Sequence, residues 1–205
     1  MKILNNFVPQ DYQDKLEELL LGSNMSWNYN SQTSYTDQQG GPHPNDFVLT
    51  PQCKETWQLV HISSGPRGLT FSPTYKLFLP VLGMAGFEKT NIFRVKANCM
   101  FKQPDYPDGC YNIPHVDNDE PNWKTLLYYV NDSDGDTLIF DKKFQKDVKH
   151  TELTIKYRST PKKGTAILFD SDQFHCSTPP RTTERRTVIN FIFGVTPTNF
   201  NKEKT

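Results

Sequence analysis

The sequence has no apolar run approaching the roughly 20 residues that a membrane-spanning helix needs, so no membrane association is expected. It also lacks an excess of either charge. Lys plus Arg and Asp plus Glu number 23 each, giving zero net charge with neutral histidine. That balance removes the electrostatic reason to expect nucleic acid or an anionic lipid surface. The four cysteines, Cys53, Cys99, Cys110 and Cys176, include no C-x-x-C pair and no zinc-like spacing. They read as reduced thiols, since a chain of 205 residues does not need disulfides to stay folded. There is no internal repeat and no low-complexity tract. The opening Met-Lys-Ile-Leu-Asn-Asn-Phe-Val-Pro is too broken for a secretory signal, and a cytoplasmic location is expected.

What is present is one domain's worth of chain, residues 1–205, with 13% aromatics to fill a β-rich core or a pocket. Residues 9–21 are expected to be helical: Tyr12, Leu16, Leu19 and Leu20 share a face, Pro9 opens the first turn and Gly22 stops it. A second helix is expected from Pro73, capped by Ser72, through Tyr75, Phe78, Leu79 and Leu82. Pro80 should kink it, and Gly83 and Gly86 should end it. Between them, residues 28–46 are rich in Asn, Ser, Gln, Asp, Gly and Pro and read as an exposed loop or lid.

From residue 92 the character changes to short strands separated by turns: 92–101, 124–131, 136–140, 152–157, 164–169, 174–177 and 186–195. Asn-Asp-Ser-Asp-Gly at 131–135 and Pro-Lys-Lys-Gly at 161–164 supply recognisable turn chemistry. The expected fold is α+β, mainly β: a sandwich or jelly roll over 92–196, helical and loop support over 1–91, and a tail at 197–205.

The chemistry-bearing pattern is His115-Val116-Asp117 followed by Phe174-His175-Cys176. In extended chain, residues i and i+2 face the same way, so His115 and Asp117 can reach one ion. A distant second histidine completes a facial triad and leaves coordination positions open, the arrangement of non-haem Fe(II) oxygenases. Among five histidines and fifteen aspartates an accidental H-x-D is common, so the spacing alone is weak. His43, His61 and His150 have no partner at ligand spacing and read as ordinary hydrogen-bonded residues.

The surroundings carry more. The stretches HVDNDEPNWKTLLYYVN (115–131), GDTLIF (135–140) and KKGTAILFDSDQFHCSTPPRTTERRTVINFIF (162–193) resemble, in order, the prolyl-hydroxylase-like branch of the 2-oxoglutarate/Fe(II) oxygenases. Asp136 stands where that family commonly has a second glycine. The N-terminal NNFVPQDYQDKLEELLL is similar to small oxygenases of marine bacteriophages, which would place the protein in a host cytoplasm. The resemblance implies a double-stranded β-helix with His115, Asp117 and His175 as iron ligands.

It also implies a basic residue on the last strand that clamps the far carboxylate of 2-oxoglutarate, a task suited to the planar fork of arginine. Arg186 is in phase with Asn190 and is the first choice. Arg185 is its rival through an R-x-Thr pattern, and Arg181 is a further alternative. Tyr129 is the candidate second contact to that carboxylate, and Asn98 is another co-substrate candidate. Tyr106 and Tyr111 are candidates to line a substrate pocket, and Asn118 and Asp119 either orient ligands or form a turn.

The implied reaction consumes O2 and 2-oxoglutarate, releases succinate and carbon dioxide, and hydroxylates a C–H bond, with ascorbate as a supporting reductant. A peptidyl proline, a nucleobase and a free small molecule are the substrate classes. Zero net charge weighs against a nucleic-acid substrate. A cupin-like metal-binding module without redox chemistry is the reading from another class, and it has no need of a carboxylate clamp.

Overall fold

The computed structural model describes residues 1–34, 50–65, 72–88, 90–145 and 148–195. Two antiparallel sheets face each other. The larger has the order β1-β8-β5-β10-β4-β3-β2, and the smaller has the order β7-β6-β9. Their strands are β1 (Lys2–Leu4), β2 (Asn28–Asn30), β3 (Gln58–Ser64), β4 (Asn91–Phe101), β5 (Trp123–Tyr129), β6 (Thr137–Lys143), β7 (Ile155–Ser159), β8 (Ala166–Asp170), β9 (Gln173–Ser177) and β10 (Arg185–Gly194). This is the expected jelly roll.

The inner strands β4, β5 and β10 show why. Along β10, Ile189, Phe191 and Phe193 point to one face, while Arg186, Val188 and Asn190 point to the other. The first set joins the main apolar core with Val95, Ala97, Leu126 and Tyr128. Period-two alternation over a sheet buried on both faces separates an apolar helix-side core from an inner face where polar side chains sit beside a smaller apolar cluster. Each fully buried aromatic there stabilises the fold by about 2–3 kcal/mol.

Two helices cover the outer face. Helix α1 (Gln10–Leu21) buries Leu16 and Leu20, and α2 (Tyr75–Met84) buries Phe78, Val81 and Leu82. Tyr12 Oη donates to Leu77 O at 2.7 Å and ties the two helices together. Pro9 sits just outside α1 as its cap, with its carbonyl accepting from Tyr12 and Gln13. Gly22 ends the helix by close approach and not by left-handed backbone: its φ is −76°, and a Cβ there would stand 2.5 Å from Glu18 O. The second helix starts two residues later than the sequence suggests. Ser72 uses its hydroxyl in the network around His61, and Pro80 lies within the helix without ending it.

The helical reading of the N-terminal half needs correction. β1 pairs with β8 at one edge of the large sheet, and β3 pairs with β4 and carries β2 at the other. Residues 28–30, expected in a loop, are strand; the remainder of the 28–46 loop beyond Ser34 lies outside the described residues. β7 begins at Ile155 and not at 152, because His150–Glu152 forms a 3-10 turn. Among the described residues no helix is long and apolar enough to cross a membrane. All four cysteines are free thiols.

Candidate metal centre

Three side chains from two chain segments converge on the inner face. His115 and His175 lie opposite each other in an antiparallel bridge, each N–H donating to the other's carbonyl at 2.9 Å. His175 is on β9. His115 and Asp117 are on the segment leading into β5, where the N–H groups of Asp117 and Asn118 both donate to Ser171 O. One donor atom from each of His115, Asp117 and His175 lies within 4.8 Å of the other two.

Both imidazoles are oriented from behind. His115 Nδ1 donates to Ile113 O at 3.2 Å, and His175 Nδ1 donates to Gln173 O at 3.0 Å. A proton on Nδ1 leaves Nε2 as the metal-binding nitrogen. His175 Nε2 then stands 3.6 Å from Asp117 Oδ2. The carboxylate is fixed as well. Arg94 Nη2 donates to Oδ1 at 3.2 Å, while Thr125 Oγ1 and Asn190 Nδ2 donate to Oδ2 at 2.9 and 3.1 Å.

Electrostatics prepare this set for a cation. Burial, reinforced by neighbouring His175, pushes His115 down to about 3 against the pull of Asp117. Burial lowers His175 too, again opposed by Asp117. Burial works against ionisation of Asp117, but His175, Arg94 and Lys96 outweigh it and hold the carboxyl below its usual range. Two neutral imidazoles and one carboxylate are the donor set that Fe(II) takes with three positions left open. The residues fit the ion.

The same cavity is lined by Arg186, Thr137, Val188, Asn190, Asn98 and Lys96. Arg186 is fully engaged on one side: Nε donates to Gly135 O at 2.8 Å and Nη2 to Thr137 Oγ1 at 2.7 Å. A guanidinium has five N–H groups, so the edge with Nη1 of this cavity-lining residue is left without a partner among the described residues. Burial alone pulls the pKa of this arginine down, and Tyr129 and Asp136 counter it. Gly135 makes the seat possible. A Cβ there would meet Arg186 Cδ and Thr178 O at 2.8 Å and Pro180 N at 2.9 Å.

The other candidates separate clearly. Arg185 points away from the cavity: Nη1 donates to Leu21 O at 2.9 Å at the end of α1, and the guanidinium lies 6.0 Å over the Phe101 ring. Arg181 pairs with Asp108 at the surface. Tyr129 is buried, and its hydroxyl donates at 3.0 Å to Thr137 Oγ1, the atom Arg186 also uses. Asn98 lines the cavity, with Nδ2 donating to Gln58 Oε1 at 2.6 Å.

Tyr106 and Tyr111, the candidates for a substrate pocket, are not among the described residues lining this cavity. Tyr106 Oη donates to Lys54 O, and Tyr111 packs edge-on against Phe140 while its backbone pairs with Gln52 and Lys54. They pin the 52–54 segment onto the loop before His115. Asn118 caps a turn through Glu120 N. His61 is held by Ser26, Ser72 and Thr74, an ordinary buried histidine. His43 and the side chain of His150 lie outside the described residues.

Arg94, Lys96, Thr125 and Thr137 were not visible as site residues in the sequence. Each comes from a different turn of the alternation on β4, β5 or β6, with no local spacing to mark it. Lys96 is the most unusual: burial and Arg94 lower its pKa to about 7, with Asp117 opposing.

Comparison with known proteins bears on this geometry. The sequence model of the 2OG-Fe(II) oxygenase superfamily matches residues 101–194. No curated protein matches by sequence. Among solved structures, a 2OG-Fe(II) oxygenase family oxidoreductase from Burkholderia pseudomallei superposes with TM-score 0.58 at 13% identity, covering 94% of this chain and 84% of that one. The α-ketoglutarate-dependent epimerase SnoN of nogalamycin biosynthesis gives 0.57 at 9% identity, covering 93% and 76%. A Trichoplax adhaerens prolyl hydroxylase, solved with a peptide of a hypoxia-inducible factor, gives 0.51 at 15% identity, covering 94% and 83%. At these identities the structural likeness is one of fold.

Proposed function

We propose that this chain, whose residues 101–194 match the 2OG-Fe(II) oxygenase superfamily, is an oxidoreductase of that superfamily: an Fe(II)- and 2-oxoglutarate-dependent dioxygenase that hydroxylates a substrate C–H bond. His115, Asp117 and His175 hold the iron, and Arg186 holds the far carboxylate of 2-oxoglutarate. The observation that carries this reading is the unspent edge of Arg186 in the cavity of the triad. A module that only bound metal would have no use for a buried cation there, because burying it without a partner is costly.

When bound together, iron and 2-oxoglutarate supply the oxidative chemistry: O2 is consumed, the keto acid gives succinate and carbon dioxide, and a C–H bond becomes C–OH. The chain's own contribution is positioning. Ile113 O and Gln173 O fix both imidazole tautomers. Arg94, Thr125 and Asn190 stop Asp117 from rotating away. Gly135 O and Thr137 Oγ1 aim the guanidinium, with Tyr129 bracing Thr137. Leu127 and Val188 provide an apolar wall that limits water around the reacting atoms.

A prolyl residue in a peptide is the substrate class that the 115–131 segment favours, with free small molecules as the second. The test is anaerobic addition of Fe(II) and 2-oxoglutarate, which should give a visible metal-to-ligand charge-transfer band. Admission of air should then give slow succinate release without substrate. Absence of both band and succinate overturns the reading. Mass spectrometry of a proteome exposed to the enzyme, searching for added oxygen on proline, tests the substrate class.

A further inference from the structure

Lys96 lies on the inward face of β4, two residues from Arg94 and two from Asn98, and its side chain lines the cavity shared by the triad and Arg186. Its place along the strand is informative. Lys96 is opposite Asn190 of β10, the residue that donates to Asp117, whereas Arg186 is opposite Met100. Four residues of strand, about 13 Å, separate the two backbone levels. Two cationic side chains therefore enter one cavity from well-separated levels, Lys96 from that of the metal ligands and Arg186 from the other end.

Their circumstances differ. Arg94, the next inward cation on β4, is committed to Asp117 at 3.2 Å. Lys96 forms no hydrogen bond and no ion pair among the described residues, although it lies close enough to Asp117, His115 and His175 to influence their charges. Asp117 is the one carboxylate in the described lining, and Arg94, Thr125 and Asn190 already occupy its oxygens. An ammonium on a largely buried wall without a counter-ion is unfavourable unless something else brings the negative charge. Metal binding would add positive charge beside it and deepen the deficit.

We propose that Lys96 binds a carboxylate at the metal end of the cavity, as Arg186 does at the other end. This rests on the oxygenase reading above and adds a positioning residue to it. The carboxylate has two sources: the one next to the keto group of 2-oxoglutarate, or one carried by the primary substrate. A lysine serves here because a compact charge with three rotatable donors can follow a carboxylate that another group already orients.

The experiment titrates anaerobic Fe(II) enzyme with two keto acids, following the charge-transfer band. 2-Oxoglutarate has both carboxylates; 2-oxopentanoate keeps the keto-acid end and lacks the far one. If the co-substrate is the source, Lys96→Met weakens both by about tenfold, Lys96→Arg restores most of the affinity, and Arg186→Met weakens 2-oxoglutarate alone. If the substrate is the source, both affinities stay at the parent value, and acetate added to the Fe(II)·2-oxoglutarate complex shifts the band in the parent and Lys96→Arg but not in Lys96→Met. Lys96→Met that matches the parent with both keto acids and with acetate overturns the proposal. A purely structural lysine would lower the melting temperature while leaving these ligand comparisons untouched, and that result also overturns it. A parent that gives no band with either keto acid is a different failure, that of the oxygenase reading.

Discussion

Replacing Arg186 by methionine keeps a long apolar stem and removes the guanidinium. Two of its N–H groups are spent on Gly135 O and Thr137 Oγ1, and the edge with Nη1 has no partner among the described residues. A carboxylate docked on that edge would receive two charge-assisted hydrogen bonds. Truncating one partner of such a buried pair costs about 2–5 kcal/mol. A mid-range loss of about 3 kcal/mol raises the 2-oxoglutarate Kd roughly 150-fold. Arg186→Lys keeps the charge but loses the fork and the Nε bond to Gly135, and a loss of roughly tenfold is expected. Arg185→Met is the control. Its guanidinium points to Leu21 O on the opposite face, so affinity should stay within about twofold. Anaerobic titration of the charge-transfer band reads all three, with melting temperatures recorded to separate folding from binding. An Arg186→Met enzyme binding 2-oxoglutarate within about threefold of the parent would refute the assignment, as would an equal loss in Arg185→Met.

Other outcomes follow from the same geometry. His175→Ala should abolish the Fe(II)–2-oxoglutarate band, and a normal band there would remove His175 from the ligand set. Gly135→Ala forces a Cβ against Thr178 O at 2.8 Å and Pro180 N at 2.9 Å, backbone atoms that cannot yield cheaply. We expect about 1–3 kcal/mol of lost stability by denaturant titration, together with weaker 2-oxoglutarate binding as Arg186 is pushed from its seat. Asp134 accepts from the N–H and hydroxyl groups of Thr182 and Thr183. Burial opposes its ionisation, but these donors outweigh it and hold the carboxyl below its usual range. Its folded pKa is below the unfolded one, so its contribution is complete above the ordinary carboxylate range near pH 4 and fades as pH falls through the folded value. Asp134→Asn should therefore flatten the acid limb of a stability-versus-pH curve, and an unchanged limb would count against this role.

Where sequence and structure agree, the signal was local. β4 and β10 are long, alternating and bounded by turns, and they appear within one residue of their expected ends. The convergence of His115, Asp117 and His175 was legible because His115-x-Asp117 sits within a resemblance covering residues 115–131. That Arg186 and not Arg185 faces the cavity was legible for a simple reason: adjacent strand residues face opposite ways, and Asn190 fixes the phase. What failed lacked local signal. β1 and β2 are three residues each, too short to show a period. β3 reads Gln-Leu-Val-His-Ile-Ser-Ser, a mix without clean alternation, and its partner β4 decides its state. Lys96 and Arg94 belong to the site only because β4 lies beside β10 in one register, which no spacing along the chain announces. For Tyr106 and Tyr111, nearness to His115 in sequence says nothing about which face of a loop a ring takes.

The edges of the large sheet have a further meaning. The superfamily match begins at residue 101, yet β8 and β4 are completed by strands at 2–4 and 58–64. β1 pairs with β8 over three residues, and β3 also brings Gln58, which lines the cavity and accepts from Asn98 Nδ2. Residues 92–196 expressed alone would bare the hydrogen-bonding edges of both β4 and β8, a template for self-association. The smallest portable form of this site is therefore longer than the stretch by which it is recognised.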